Sequence, residues 1–225
     1  MGKFEGFKPA DFAGLKGTTW RGKDALGGEL AGLLRKELGN DCRSWGVRRR
    51  AELHIARDSA YDFNDPFPRP KLFVYTLNDE RDELAFGYYV EGGNRKGKPP
   101  VSFHAVEAFQ DAMGGSTEVL KSAAAIRELY VADYYNESNS KGALGWTFKI
   151  APNRIEMTNR ADSTSLASLQ NVVGAIRGLG RSPYVDLHIF SRIPAKEAIA
   201  MRERVVGAIV ETLVALAPLY RATIK

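Results

Sequence analysis

The amino-acid sequence predicts an α+β fold, and two patterns along its 225 residues predict it. Segments that alternate apolar and polar residues follow one another in hairpin-like groups, which is typical of antiparallel sheets. Segments with apolar residues at helical spacing precede, separate and follow these groups. We therefore expect one compact domain over residues 1–225, with any sub-domain seam near residues 92–100. Its sheet should be mostly antiparallel, of about six strands, with helices packed on one face and a long amphipathic C-terminal helix.

Helices are predicted where apolar residues recur every three or four positions. The leucines between residues 26 and 38 predict a helix over residues 25–38, with Asp24 as its N-cap and Gly39 as its end. Asp162 or Ser163 is the expected N-cap of a later helix. The predicted helices are 9–15, 25–38, 103–113, 116–135, 163–179 and a last one from Pro194 to about Ala217, where Pro218 is expected to end it.

Strands are predicted where apolar and polar residues alternate, because successive side chains of a strand point to opposite faces. In residues 46–57 an apolar set alternates with a polar set that includes Arg48, Arg50, Glu52 and His54. Residues 184–190 alternate in the same way, with Asp186 and His188 opposite the apolar set. The other predicted strands are 71–77, 83–91, 145–151 and 153–159, the last two joined by a turn near Pro152.

The positive charge of the chain is concentrated near its beginning. Residues 1–57 hold 12 Lys and Arg against 7 Asp and Glu, whereas residues 58–225 hold 20 of each. Because guanidinium groups pair well with phosphate oxygens, a basic surface favours nucleic acid or a phosphorylated ligand. The candidate anion-binding residues are Arg48, Arg49 and Arg50 on the strand and Arg95, Lys96 and Lys98 in a glycine-rich loop. The alternative is a solvated strand face whose arginines pair with the acidic residues of segment 58–83.

Two strands carry an acid and a histidine two positions apart, Glu52 with His54 and Asp186 with His188. A spacing of two places each pair on one face of its strand. If the two strands are neighbours, the four groups would converge as acid–base groups or metal ligands of a small hydrolase or transferase. A structural or protein-interaction domain without catalysis is a third interpretation.

Several functional classes lack their motifs in this chain. Its one cysteine, Cys42, allows neither an intramolecular disulfide nor a four-cysteine zinc site. The signatures of zinc proteases, serine hydrolases and dinucleotide-binding folds are missing. Residues 17–23 resemble a phosphate-binding loop, but Asp24 stands where the magnesium-binding hydroxyl is needed. We therefore predict no cofactor and no metal. With no long apolar run and no signal peptide, we also expect a soluble cytoplasmic protein without a membrane partner.

Overall fold

The chain is described here from a computed structural model. The described residues are 2–12, 22–42, 44–48, 52–57, 70–77, 82–90, 104–115, 117–135, 144–159, 163–178 and 185–224. The seven helices among them are α1 Pro9–Phe12, α2 Lys23–Leu38, α3 His104–Gly115, α4 Thr117–Ile126, α5 Leu169–Arg177, α6 Ala195–Met201 and α7 Val205–Thr223. Short 3₁₀ turns follow α2 and α6, at Gly39–Cys42 and Arg202–Arg204.

The strands are β1 Ser44–Arg48, β2 Glu52–Ala56, β3 Lys71–Leu77, β4 Glu83–Val90, β5 Leu129–Tyr135, β6 Leu144–Ala151, β7 Arg154–Asn159, β8 Thr164–Ala167 and β9 Val185–Pro194. Helices together with antiparallel pairing confirm the predicted α+β class and the long C-terminal helix. The predicted number of strands is wrong, because the described residues form nine strands and not about six.

The chain divides into two compact units. The first contains Met1–Asp62, Lys71–Gly87 and Ser191–Val214, and the second contains Phe63–Pro70, Tyr88–Phe190 and Ala215–Lys225. Strands β4 and β9 and helix α7 contribute residues to both units. The single domain over residues 1–225 stays a prediction, and the expected seam near 92–100 lies outside the described residues.

In the first unit the strand order is β1-β2-β3-β4, followed by the last residues of β9. Helix α2 packs on the face that carries Trp45 and Leu53, and it approaches these side chains closely at Gly27. At the other end of this sheet an ion pair joins Glu83 on β4 to Arg192 on β9, with 3.5 Å between the carboxylate and guanidinium groups. Part of the buried core of this unit therefore lies between α2 and the sheet.

In the second unit the strand order is β9-β5-β6-β7-β8, and the pairs β9–β5, β5–β6, β6–β7 and β7–β8 are antiparallel. Helix α4 contacts β5 and β6, and α3 contacts α5. Phe148 and Ile150 on β6 and Ile189 on β9 are buried. Thr147, Lys149, Glu156 and His188 alternate with the apolar residues of these strands and are partly exposed.

Three segments differ from their predicted secondary structure, and in each of them residues pair with a neighbouring strand. The predicted helix 116–135 ends at Ile126, and residues 129–135 form β5 between β9 and β6. The predicted helix 163–179 starts only at Leu169, because residues 164–167 pair with β7 as β8. The predicted strand 46–57 is the antiparallel pair β1 and β2. Backbone hydrogen bonds to neighbouring strands determine the secondary structure of these segments, because their local sequence patterns are compatible with more than one structure.

Helix ends also differ from the prediction. Helix α2 begins at Lys23, so Asp24 lies in its first turn and Gly22 is the N-cap residue. The last predicted helix is interrupted at Arg202, whose φ of 49° ends α6, and it continues as α7 through Pro218 to Thr223. Of the predicted helix 9–15, residues 9–12 are helical and 13–15 lie outside the described residues.

Among the described residues, one helical stretch, Ala195–Thr223, is long and apolar enough to cross a membrane by length and composition. Half of its most apolar window is buried inside the protein, and core helices of soluble proteins pass the same test. This burial is consistent with a soluble protein, and the cytoplasmic location stays a prediction.

Candidate anion-binding cavity

The two acid–histidine pairs do not lie on neighbouring strands. Strand order places β3 and β4 between β2, which carries Glu52 and His54, and β9, which carries Asp186 and His188. The condition for their convergence, adjacency of the two strands, is therefore not met. The catalytic roles of the four residues stay predictions.

The two histidines have different surroundings. His54 is only 1% exposed, and Leu53 and Ile55, which point to the opposite face of β2, are also buried. Both faces of β2 are therefore covered here, although the alternation of residues 46–57 is typical of a strand with one polar face. His188 is partly exposed and stands opposite Ala132 of β5. Among the described residues, no group of three or more His, Cys, Asp and Glu is placed to hold a metal ion.

The predicted basic surface falls mostly outside the described residues. Arg48 ends β1, where its Cα is paired with that of Glu52 on β2. Arg49, Arg50, Arg95, Lys96 and Lys98 lie outside the described residues. Anion binding through these six residues therefore stays a prediction.

A cavity of about 540 Å³ in the second unit has the chemistry of such a site. It lies where β6 turns into β7, where β8 leads into α5, and along one side of α4. Its lining residues are Thr117, Lys121, Ala124 and Ala125 of α4, Ile150 to Ile155 of the β6–β7 hairpin, Ala167 of β8, and Leu169 and Gln170 of α5.

Local sequence signals set the walls of this cavity. Pro152 and Asn153 form the turn between β6 and β7, as the sequence predicts. Ser168 caps α5: its Oγ accepts a hydrogen bond from the Asn171 backbone N–H at 3.3 Å, and its own backbone N–H donates to Asn171 Oδ1 at 2.8 Å. This reciprocal pair satisfies backbone donors that a helix start otherwise leaves open. It determines where α5 begins and so places Leu169 and Gln170 at the cavity.

The charged groups of the lining are positive. Lys121 and Arg154 line the cavity, and none of the described lining residues carries a carboxylate. Each cation has an acidic partner just outside the lining: Lys121 Nζ lies 2.6 Å from Glu118 Oε1, and an Arg154 guanidinium nitrogen lies 2.6 Å from Glu156 Oε1. The Lys121 and Arg154 side chains are 57% and 66% exposed. The Lys121–Glu118 pair is exposed on both sides, and such pairs contribute at most about 1 kcal/mol, so Lys121 can exchange its partner for a ligand. Arg154 is exposed in the same way, although its partner Glu156 is half-buried.

A second cavity, of about 460 Å³ in the first unit, has mixed charges. It lies between the N-terminal segment and the end of α6, with Lys3, Lys8 and Arg202 beside Glu5 and Glu203. Lys8 and Glu5 lie 3.9 Å apart within this lining. Because carboxylates belong to its wall, this cavity is less suited to an anion than the cavity at the β6–β7 turn.

Sequence reasoning missed Lys121 and Arg154. Each is one charged residue on an exposed position of an ordinary helix or strand, and the net charge of residues 58–225 is zero. The sequence predicts the turn at Pro152 and the hairpin around it. This hairpin is one wall of the cavity, but it does not by itself indicate that a cavity exists. Only the packing of α4 and α5 beside that turn brings the two cations to one opening.

Comparisons with known proteins find no match for this chain. No family model matches the chain, and no curated protein or solved structure is significantly similar to it.

Proposed function

We propose that this protein binds a small anionic ligand through a phosphate group, in the cavity at the β6–β7 turn. The observation that carries the proposal is the charge of the lining, in which Lys121 and Arg154 are the charged residues and none of the described lining residues carries a carboxylate. Its volume is within the range of about 300–1,000 Å³ that is typical of small-molecule sites. A cavity of this size suits a small phosphorylated ligand better than a nucleic acid strand.

Charge and geometry both favour phosphate. An arginine guanidinium offers paired N–H donors that match two phosphate oxygens, and a lysine adds a second positive charge. Thr117 is the first residue of α4 and Gln170 the second residue of α5, and the backbone N–H groups at helix starts carry partial positive charge. Hydrogen bonds to charged groups contribute about 1.5–3 kcal/mol each, which exceeds the exposed ion pairs they would replace. Two such contacts, about 3–6 kcal/mol together, correspond to dissociation constants between several millimolar and tens of micromolar.

The proposal is tested by titrating the full chain with inorganic phosphate and pyrophosphate in a calorimeter at about 50 mM salt. We expect Arg154→Ala and Lys121→Ala each to weaken binding by about tenfold, the loss of one charge-assisted contact. Lys36→Ala is the matched control, because Lys36 is an exposed lysine on α2 and lies in the first unit. We expect this control to change affinity by less than twofold.

Three results would contradict the proposal. The first is the absence of binding at ten millimolar phosphate and pyrophosphate. The second is binding by Arg154→Ala and Lys121→Ala as tight as that of the unmodified chain, which would place the anion elsewhere. Weakening by Glu156→Gln would also count against it, because removing the acidic partner of Arg154 should leave this cation more available and strengthen binding.

A further inference from the structure

The cavity at the β6–β7 turn is apolar behind its charged opening. Eight of its lining residues have apolar side chains: Ala124, Ala125, Ile150, Ala151, Pro152, Ile155, Ala167 and Leu169. Ile150 and Ala124 are buried, whereas the side chains of Lys121 and Arg154 are more than half exposed. The two charged side chains of the lining are therefore largely exposed, and part of its aliphatic wall belongs to the buried core.

A bare phosphate ion would use only the rim. Binding cavities usually combine a few polar groups, which orient the ligand, with a mostly apolar wall that buries the rest of it. Here the polar groups at the rim are the two cations with Thr117, Asn153 and Gln170. A ligand body that covers apolar surface makes the free energy of binding more favourable, in proportion to the apolar area removed from water. A bare phosphate ion leaves that surface in contact with water.

We infer that the ligand is an amphiphilic phosphate monoester, with its phosphate at Lys121 and Arg154 and an aliphatic body against Ile150 and Ile155. This inference rests on the proposed function and specifies the class of ligand that the same cavity takes. It distinguishes an esterified phosphate from the inorganic ion, because only the ester has a body that reaches the aliphatic wall.

The experiment measures dissociation constants of the full chain for inorganic phosphate, methyl phosphate, butyl phosphate and hexyl phosphate. Each added methylene should tighten binding by about two- to fourfold while it fits the apolar wall. We therefore expect hexyl phosphate to bind at least tenfold more tightly than methyl phosphate. Hexanol, which has the same body and no charge, should show no measurable binding at the same concentrations.

A pair of variants on adjacent strands locates the aliphatic body. Ile155→Thr keeps a β-branched side chain on β7 and removes apolar wall, so it should reduce the preference for hexyl over methyl phosphate at least threefold. Leu166→Thr is the matched control, because Leu166 on β8 is 75% exposed and is not part of the cavity lining.

The outcomes separate the inference from the function on which it rests. One outcome is that phosphate binding depends on Arg154 but the dissociation constant does not change along the alkyl phosphate series. This outcome would overturn the amphiphilic ligand and leave the anion site intact. An alkyl preference that survives in Ile155→Thr would overturn the assigned wall. Absence of binding by every phosphate would overturn both proposals.

Discussion

Gly27 shows how closely one residue can be constrained by its neighbours. A Cβ atom at this position of α2 would lie 2.5 Å from Trp45 Cε3 and 2.9 Å from Leu53 Cδ1. We expect Gly27→Ala to lower the free energy of unfolding by about 1–3 kcal/mol, because overpacking outweighs the better helix propensity of alanine. Urea unfolding of the two chains measures the difference.

Gly32, five positions later on the same helix, is the matched control. A Cβ atom there would meet nothing within 4 Å. Gly32→Ala should raise the free energy of unfolding by about 0.5–1 kcal/mol, since only helix propensity changes. Equal effects at the two positions would contradict the close approach of α2 to β1 and β2.

Arg202 carries backbone strain that a glycine would relieve. Its φ is 49°, in the left-handed region that costs an L-residue roughly 1–2 kcal/mol. Arg202→Gly should therefore raise the free energy of unfolding by about 0.5–1 kcal/mol, measured by thermal unfolding. Arg204→Gly, two residues later in the 3₁₀ turn, is the control and should lower the free energy of unfolding by about 1 kcal/mol. A free energy of unfolding that falls in Arg202→Gly as well would contradict the strained break between α6 and α7.

The start of α5 depends on one side chain. Ser168 and Asn171 cap this helix reciprocally, and the helix itself has only nine residues. Because so short a helix gains little from propagation, Ser168→Ala should lower the free energy of unfolding by about 1 kcal/mol in urea. Ser122→Ala is the control: Ser122 is exposed within α4, where the change should be neutral or slightly stabilising. Equal losses would show that the cap does not determine where α5 begins.

The stability of the whole protein should fall at alkaline pH, and Tyr88 is one cause. Its side chain is buried against the rings of Phe109 and Tyr220, and its hydroxyl hydrogen-bonds Thr223 Oγ1 at 2.5 Å. Burial raises the pKa of Tyr88 above its ordinary value, and the hydrogen bond to Thr223 opposes this only in part. In the unfolded chain the same phenol ionises near pH 10.

The sign of the pH dependence follows from these two states. Below about pH 10 the phenol is neutral whether the chain is folded or unfolded, so this contribution to stability is fully present. Above about pH 10 only the unfolded chain loses the proton, and the free energy of unfolding falls by up to about 1.4 kcal/mol per pH unit. Tyr88→Phe should flatten this decline between about pH 10 and 11.5. Thr223→Val keeps the phenol and should keep the decline, and an unchanged slope in Tyr88→Phe would contradict the assignment.

Much of the secondary structure follows from local sequence patterns. The leucine spacing of α2, the β-forming residues of β3 and β4, and the Pro152 turn between β6 and β7 predict elements that the structure confirms within a few residues. The alternation around His188 also predicts the burial of Leu187 and Ile189 on β9. These patterns succeed because each reflects interactions between residues close in the chain, or one face that must be buried.

Tertiary structure decides what depends on distant partners. Residues 129–135 become β5 because β6 and β9 supply hydrogen-bond partners, and α7 continues through Pro218 although the local pattern predicts its end there. His54 alternates like a surface residue and is buried, because both faces of β2 are covered. Lys121 and Arg154, far apart in the chain, meet at one cavity only through the packing of α4 beside the β6–β7 hairpin. The sequence thus determines the fold class and most elements, whereas strand order and the site depend on contacts that no local pattern encodes.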